Sequence, residues 1–193
     1  MPSVAVLVPS RGVLAPGLIP AAFAALRDAN VSHYDFFFSH DRPIPDCFNH
    51  LVSRALESFH PSHVWILEED IVPPNDSLRR MLALKHDICA IDYTLKINKA
   101  VSYHQRGELV EWVATGCVLI NAEVFARVPR PWFRSDQSVE WVYEGSSSQW
   151  YTRLGQRDPQ DYGGHDIVFG YLARQQGFSL GVVPDLRCEH LNL

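Results

Sequence analysis

The five consecutive apolar residues Val4-Ala5-Val6-Leu7-Val8, stopped by Pro9-Ser10-Arg11-Gly12, constrain this chain more than any other segment. A run that does not alternate reads as a strand buried on both faces, and such a strand requires a layer packed on each side of its sheet. A second run of this kind, Val64-Trp65-Ile66-Leu67, ends directly in Glu68-Glu69-Asp70. Between the two, residues 20–30 fit a short helix with Pro20 near its start and Asn30 at its end. Residues 34–39 read as a strand. Phe48, Leu51, Val52, Ala55, Leu56 and Phe59 then recur at the spacing of one helix face. Beyond the break at Pro73-Pro74, Asn75 or Asp76 is placed to cap a helix over 77–86, and residues 87–93 form a further strand. Strands and helices in this alternation predict an α/β domain built on a mixed, mostly parallel sheet flanked by helices.

After Tyr93 the pattern changes. Residues 94–113 read as a short hairpin turning near Gly107, and 114–120 as a strand, with Asn121 capping a helix to about Val128. Residues 129–163 carry Pro, Trp, Ser and Gly without a clear period, and a loop of that length in a compact domain is usually functional or mobile. A helix over 166–176, closed by Gly177, and a strand over 180–183 complete the chain. At 193 residues a single domain is expected. No apolar stretch approaches the ~20 residues of a membrane span. Met1-Pro2-Ser3-Val4 has no basic leader before an apolar segment. Cys47, Cys89, Cys117 and Cys188 lie far apart with no CxxC pair, which predicts reduced, mostly buried thiols and a cytoplasmic location. A net charge of -5 provides no footprint for indiscriminate nucleic-acid binding.

Ligands of open α/β sheets bind beyond the carboxyl ends of the strands. Glu68-Glu69-Asp70 falls at such an end. It reads either as a solvated acidic turn or as oxygen donors for Mg²⁺ or Mn²⁺, a cation offsetting the mutual repulsion. Tyr162-Gly163-Gly164-His165-Asp166 is the second cluster: its glycines permit close backbone approach, and Asp166 is either a helix cap or a reactive carboxylate. His190 alone would be a surface residue, whereas beside Asp70 it would complete a mixed site suited to Mn²⁺. Neither GxGxxG after the first strand, GxxxxGK[ST], GxSxG nor HExxH occurs, which excludes the usual dinucleotide enzymes, P-loop ATPases and serine hydrolases. Cys89 and Cys117 fall within strands and read as core. The aromatics Trp132, Phe133, Trp141, Tyr143, Trp150 and Tyr151 fit either packing or stacking on a sugar or base.

Taken in order, these segments resemble a glycosyltransferase of the GT-A fold, closest to family 2-like enzymes of the small bacterial and phage type. The resemblance runs from Val4 to His190. It rests on Val-Leu-Val-Pro-Ser-Arg-Gly at the first strand and turn, Arg42 and Asn49 flanking the start of the long helix, and Ile66-Leu67-Glu68-Glu69-Asp70 as the strand with a DXD-like motif. It continues through the segment from Trp112 to Ile120 with Gly116, Gly164-His165-Asp166 at the head of the last helix, and His190. Two positions depart from the family pattern: Glu68 stands where Asp is usual, and His165 replaces the glutamate of a glutamate-aspartate pair.

The resemblance implies a single domain with 1–93 as its nucleotide-binding half and 94–193 as its acceptor-side half, a nucleoside-diphosphate sugar donor and a divalent Mn²⁺ or Mg²⁺. Asp70 and His190 would be the metal ligands. Pro9, Ser10, Arg11, Asp41, Arg42, Asn49, Glu68 and Glu69 would lie against the donor, with Arg11, Lys96 or Arg106 adding charge near its phosphates. Asp166 would be the general base of an inverting transfer to a hydroxyl acceptor (glycan, lipid, protein or modified nucleobase), with Gly116, Gly164 and His165 on the acceptor side. Two alternatives are a non-catalytic sugar-nucleotide or glycan binder on the same fold, and a nucleotidyltransferase. The latter is disfavoured because residues 10–16 do not form a Gly-rich triphosphate loop. Acceptor choice would fall to residues 94–111 and 129–163, or to a partner.

Overall fold

A computed structural model describes residues 2–40, 42–94, 101–144, 149–158 and 164–191. Its elements are β1 (Ser3–Pro9), α1 (Leu18–Asp28), β2 (His33–Ser39), α2 (Asp46–Ser58), β3 (His63–Leu67), β4 (Ile71–Val72), α3 (Ser77–Leu84), β5 (Ile88–Asp92), β6 (Tyr103–Arg106) and β7 (Leu109–Val113). They continue as β8 (Cys117–Asn121), α4 (Ala122–Arg127), β9 (Gln137–Glu144), β10 (Gln149–Gln156), α5 (His165–Gln175), β11 (Leu180–Arg187) and β12 (Glu189–His190). Six strands make the central sheet, in the order β11-β5-β8-β3-β1-β2. Five run parallel, and β8 alone is antiparallel to its neighbours β3 and β5.

The opening apolar run lies inside the sheet, with Val4 to Val8 all 0% exposed. Its pleat divides the side chains between two cores. Ala5 and Leu7 join Phe48, Leu51 and Val52 of α2. Val4, Val6 and Val8 join Leu18, Ala22 and Ala25 of α1 and Leu78 and Met81 of α3. Each fully buried Val or Leu contributes about 1.5–3 kcal/mol, so this strand needs apolar helices on both faces. The mixed, mostly parallel sheet flanked by helices that the sequence predicts is therefore the observed one.

Several features differ from the sequence reading: the last long strand runs on to Arg187, and two short strands, β4 and β12, were not expected. Residues 129–163 include an eight-residue antiparallel hairpin, β9 paired with β10 from Gln137↔Gln156 to Glu144↔Gln149. Val139, Trp141 and Tyr143 alternate with Glu140, Val142 and Glu144 there, a strand signal obscured by the surrounding turn residues. Asp76 takes the cap position of α3 but makes no side-chain capping bond. Its carboxylate lies instead 3.7 Å from Arg79 and 3.9 Å from Arg80. At α5 the cap is Gly164, with φ 80°, rather than Asp166. The hairpin of β6 and β7 turns at Gly107 (φ 61°), and Asn121 caps α4 by accepting from the Glu123 N–H at 3.0 Å, both as predicted.

Two pairings position the site. Because β8 is antiparallel, its leading residues Thr115 and Gly116 arrive at the carboxyl end of β3, where the Glu68 N–H donates to Gly116 O at 3.0 Å. The short β12 pairs with β4, His190 opposite Ile71, which carries the end of the described chain back to Asp70.

Candidate active site

The carboxyl ends of β1 and β3, with the loop that follows β2, enclose a cavity of about 370 Å³ lined by Pro9, Ser10, Arg11, Arg42, Pro43, Ile44, Cys47, Glu68, Glu69 and Asp70. Residues named from three separate stretches of sequence thus meet at the place where α/β sheets bind ligands. Asp41 and Lys96 lie outside the described residues, as do Tyr162 and Gly163.

The three acidic residues have three different surroundings. Glu69, buried, turns its carboxylate to the loop after β1, accepting from Ser10 Oγ at 2.9 Å, from the Arg11 N–H at 2.6 Å and from the Arg11 guanidinium. It shapes the wall formed by Ser10 and Arg11. Glu68 accepts from Thr115 Oγ1 at 2.6 Å. Burial, opposed by that hydrogen bond and reinforced by the charges of Asp70, Asp166 and Glu69, pushes its carboxyl up to about 7. Asp70 is buried, its Oδ2 3.3 Å from His190 Nε2.

His190 Nδ1 lies 2.8 Å from Thr94 O. A carbonyl only accepts, so Nδ1 carries a proton and Nε2 is the ring nitrogen turned toward the Asp70 carboxylate; without a proton of its own, it would present a lone pair there. Two electron-rich atoms facing each other call for a positive charge, either a proton on Nε2 or a cation held between them. A histidine whose other nitrogen donates to a carbonyl is the usual orientation of a metal ligand. Among the described residues no three His, Cys, Asp or Glu side chains form a ready-made metal cluster, so this pair would bind a cation together with water or ligand oxygens.

Tyr93 is the site residue that sequence reasoning missed. Its ring stands edge-on to His190 with centroids 5.2 Å apart, and its hydroxyl accepts from the Gly116 N–H at 3.3 Å. Burial and the charges of Glu68 and Asp166 hold the phenol well above its ordinary range. No local sequence signal marked it, because the contact depends on β5 and the turn before β8 meeting in space. Asp166, half-buried, accepts from the Ile167 N–H at 2.9 Å, and its charge acts on both Glu68 and Tyr93, so it belongs to the same cluster.

In overall shape the chain is similar to A197 from STIV, at TM-score 0.63 and 15% identity, over 99% of this chain and 86% of that one. The two share a fold. Looser overlaps occur with HddC from Yersinia pseudotuberculosis (TM-score 0.42, 10% identity, 66% of this chain and 80% of that one). A glycosyltransferase involved in the glycosylation of the major capsid of PBCV-1 also overlaps (TM-score 0.34, 13% identity, 68% and 69%). No family model and no curated protein matches the sequence.

Other predicted site residues are placed elsewhere. Asn49 does not line the cavity: its Nδ2 donates to Phe133 O at 2.8 Å and its Oδ1 accepts from the Phe133 N–H at 3.1 Å, which pins that segment to α2. His165 is buried between Phe48 and Phe133, with ring centroids 5.2 and 6.1 Å away, and its Nε2 has no hydrogen-bond partner. Burial lowers its pKa, opposed by Asp166. Gly116 touches Tyr93, and Gly164 provides the left-handed residue that starts α5. Arg106 pairs with Glu111 at 2.6 Å on the β6–β7 hairpin, away from the cavity. Trp132 and Phe133 are core, while the side chains of Trp141, Tyr143, Trp150 and Tyr151 lie outside what is described. All four cysteines are free and buried, as expected.

Proposed function

We propose that this chain is a family 2-like glycosyltransferase that moves a sugar from a nucleoside-diphosphate donor to a hydroxyl acceptor, assisted by a divalent cation. The observation that carries the reading is the facing pair of Asp70 Oδ2 and His190 Nε2, fixed by Thr94 O, at the rim of a cavity at the carboxyl ends of parallel strands. One carboxylate and one neutral imidazole suit Mn²⁺, and Mg²⁺ less well. The bound cation would neutralise charge developing on the diphosphate leaving group.

The chain's own residues divide the remaining work. Pro9, Ser10, Arg11 and Arg42 form the wall for the nucleoside part of the donor, kept in shape by Glu69, and Asp41 is retained as a donor contact by the motif alone. Glu68, titrating near neutrality, presents a carboxyl able to donate as well as accept a hydrogen bond beside the donor. Asp166 takes the proton of the acceptor hydroxyl as that oxygen attacks the anomeric carbon from the side opposite the leaving group, which inverts the configuration. A cavity of about 100 Å³ lined by Glu111, Trp112, Val139, Thr152, Ile167, Tyr171 and Arg174 begins at the neighbour of Asp166 and supports an acceptor side formed by β7, α5 and the β9–β10 hairpin.

A thermal-shift panel of nucleoside diphosphates and nucleotide sugars, with and without Mn²⁺, selects the donor. Release of nucleoside diphosphate is then followed in wild type, Asp70→Asn and Asp166→Asn. Loss of turnover in both variants, with Mn²⁺ dependence lost in the first, is expected. Undiminished turnover in both refutes the assignment. Donor and metal binding without any release in wild type identifies a binder instead.

A further inference from the structure

β2 is the outer strand of the central sheet among the described residues, and its surface is unusually apolar for an edge. Tyr34 is 38% exposed and Phe38 44%, and Phe23 of α1, 43% exposed, packs beside them. The rings form a ladder along one face: Phe23 to Tyr34 at 6.0 Å, Phe23 to Phe36 at 5.0 Å and Phe36 stacked on Phe38 at 6.1 Å. The backbone phase is also defined. Ser39 O accepts from the Ser10 N–H at 2.8 Å, so the odd residues of β2 turn their backbone groups toward β1. The even residues turn theirs outward, and there Asp35 Oδ1 accepts from the Phe36 N–H at 2.8 Å. A long apolar edge of this kind is a template for another strand.

We propose that β2 pairs antiparallel with β2 of a second copy, about a two-fold axis through Phe36, joining two central sheets into one. A second copy is the occupant because the strand is complementary to itself in that register. Tyr34 falls opposite Phe38 at both ends and Phe36 opposite Phe36, aromatic cross-strand pairs that stabilise a sheet. Asp35 falls opposite Phe37, whose ring carries the exposed Arg54 guanidinium at 5.8 Å on the other face of the sheet. Each Asp35 therefore meets the Arg54 of the other copy. When the Phe36 N–H passes to a carbonyl across the axis, the carboxylate it leaves gains a cation. The contact is isologous and closes at two copies.

Sedimentation velocity of the full chain across a wide micromolar range tests this. Wild type is expected to show a reversible monomer–dimer equilibrium. Tyr34→Lys combined with Phe38→Lys sets like charges opposite each other and is expected to weaken it by about tenfold or more. Arg54→Glu, on the exposed face of α2, is expected to do the same without touching the ladder, and adding Asp35→Lys to restore it. Register is read from mild oxidation. Phe36→Cys should cross-link to itself as an intermolecular disulfide, whereas Tyr34→Cys alone should not, the native cysteines being buried. A wild type that stays monomeric throughout, folded lysine or Arg54→Glu variants that associate like wild type, or Tyr34→Cys cross-linking as readily as Phe36→Cys would each overturn the proposal.

Discussion

Replacing Gly116 by alanine tests how tightly the site is built. An ideal Cβ at this position would lie 2.5 Å from Tyr93 Cζ, 2.6 Å from Cε1 and 2.7 Å from the hydroxyl oxygen. Carbon atoms pack at about 3.5–4.0 Å, so the ring must retreat by about 1 Å. It has little room to do so: Tyr93 is 4% exposed and abuts His190. Gly116 does not have a positive φ, so alanine is not opposed by the backbone and would by itself favour folding by about 0.4–1 kcal/mol. Overpacking costs about 1–3 kcal/mol, which leaves a net loss of roughly 1–2 kcal/mol. Displacing the ring also disturbs His190, so Mn²⁺ affinity should fall with stability. Urea denaturation and calorimetric Mn²⁺ titration measure the two effects. In a Tyr93→Leu background, which lacks the clashing atoms, Gly116→Ala should be neutral or slightly stabilising. A single variant as stable as wild type, or an equal loss in both backgrounds, would refute the packing argument.

Glu68→Gln keeps an acceptor for Thr115 and removes a carboxyl whose pKa the fold raises from 4.5 to about 7. The folded state holds this proton more tightly than the unfolded state, so wild-type stability falls as pH rises between those values. The variant should therefore match wild type near pH 4.5 and exceed it by about 1–3 kcal/mol above pH 8 in chelator, a gap that urea midpoints at the two pH values would show. A pH-independent gap contradicts the linkage. His165→Phe replaces a buried ring nitrogen without a partner by a hydrocarbon edge among Phe48 and Phe133, for a gain of about 1 kcal/mol at neutral pH. Because the folded pKa of His165 is lowered from 6.5, wild type loses stability as pH falls below that value, and the advantage should widen in acid. Thermal melts at pH 7 and pH 5 that show no widening would count against it.

Much of the fold was legible because burial on both faces leaves an unmistakable pattern. Val4 to Val8 and Val64 to Leu67 could only be inner strands of a covered sheet, and their polar ends pointed to the cavity. The reversed direction of β8 was not legible, since strand composition carries no polarity, yet that direction delivers Thr115 to Glu68. Side chains were recognised more readily than their partners. Asn49 was singled out at the start of α2, but its partner is the Phe133 backbone, which lies far along the chain. Glu69 was grouped with its acidic neighbours, although its neighbours in space are Ser10 and Arg11. Three adjacent acidic residues look alike in sequence, and only the contacts brought by other strands tell them apart.

The two-residue β12 is held to β4 by a short ladder and by the Leu191 N–H, which donates to Asp70 O at 2.9 Å. An element so small can detach while the sheet stays folded. His190 would then leave Asp70, and the pair would exist only in the docked fraction of molecules. Cation affinity would be lowered by the undocked population, and a bound cation would in turn hold the strand in place, slowing amide exchange at Leu191 and its neighbours. The metal and the tail would thus act as a latch, each closed more firmly by the presence of the other.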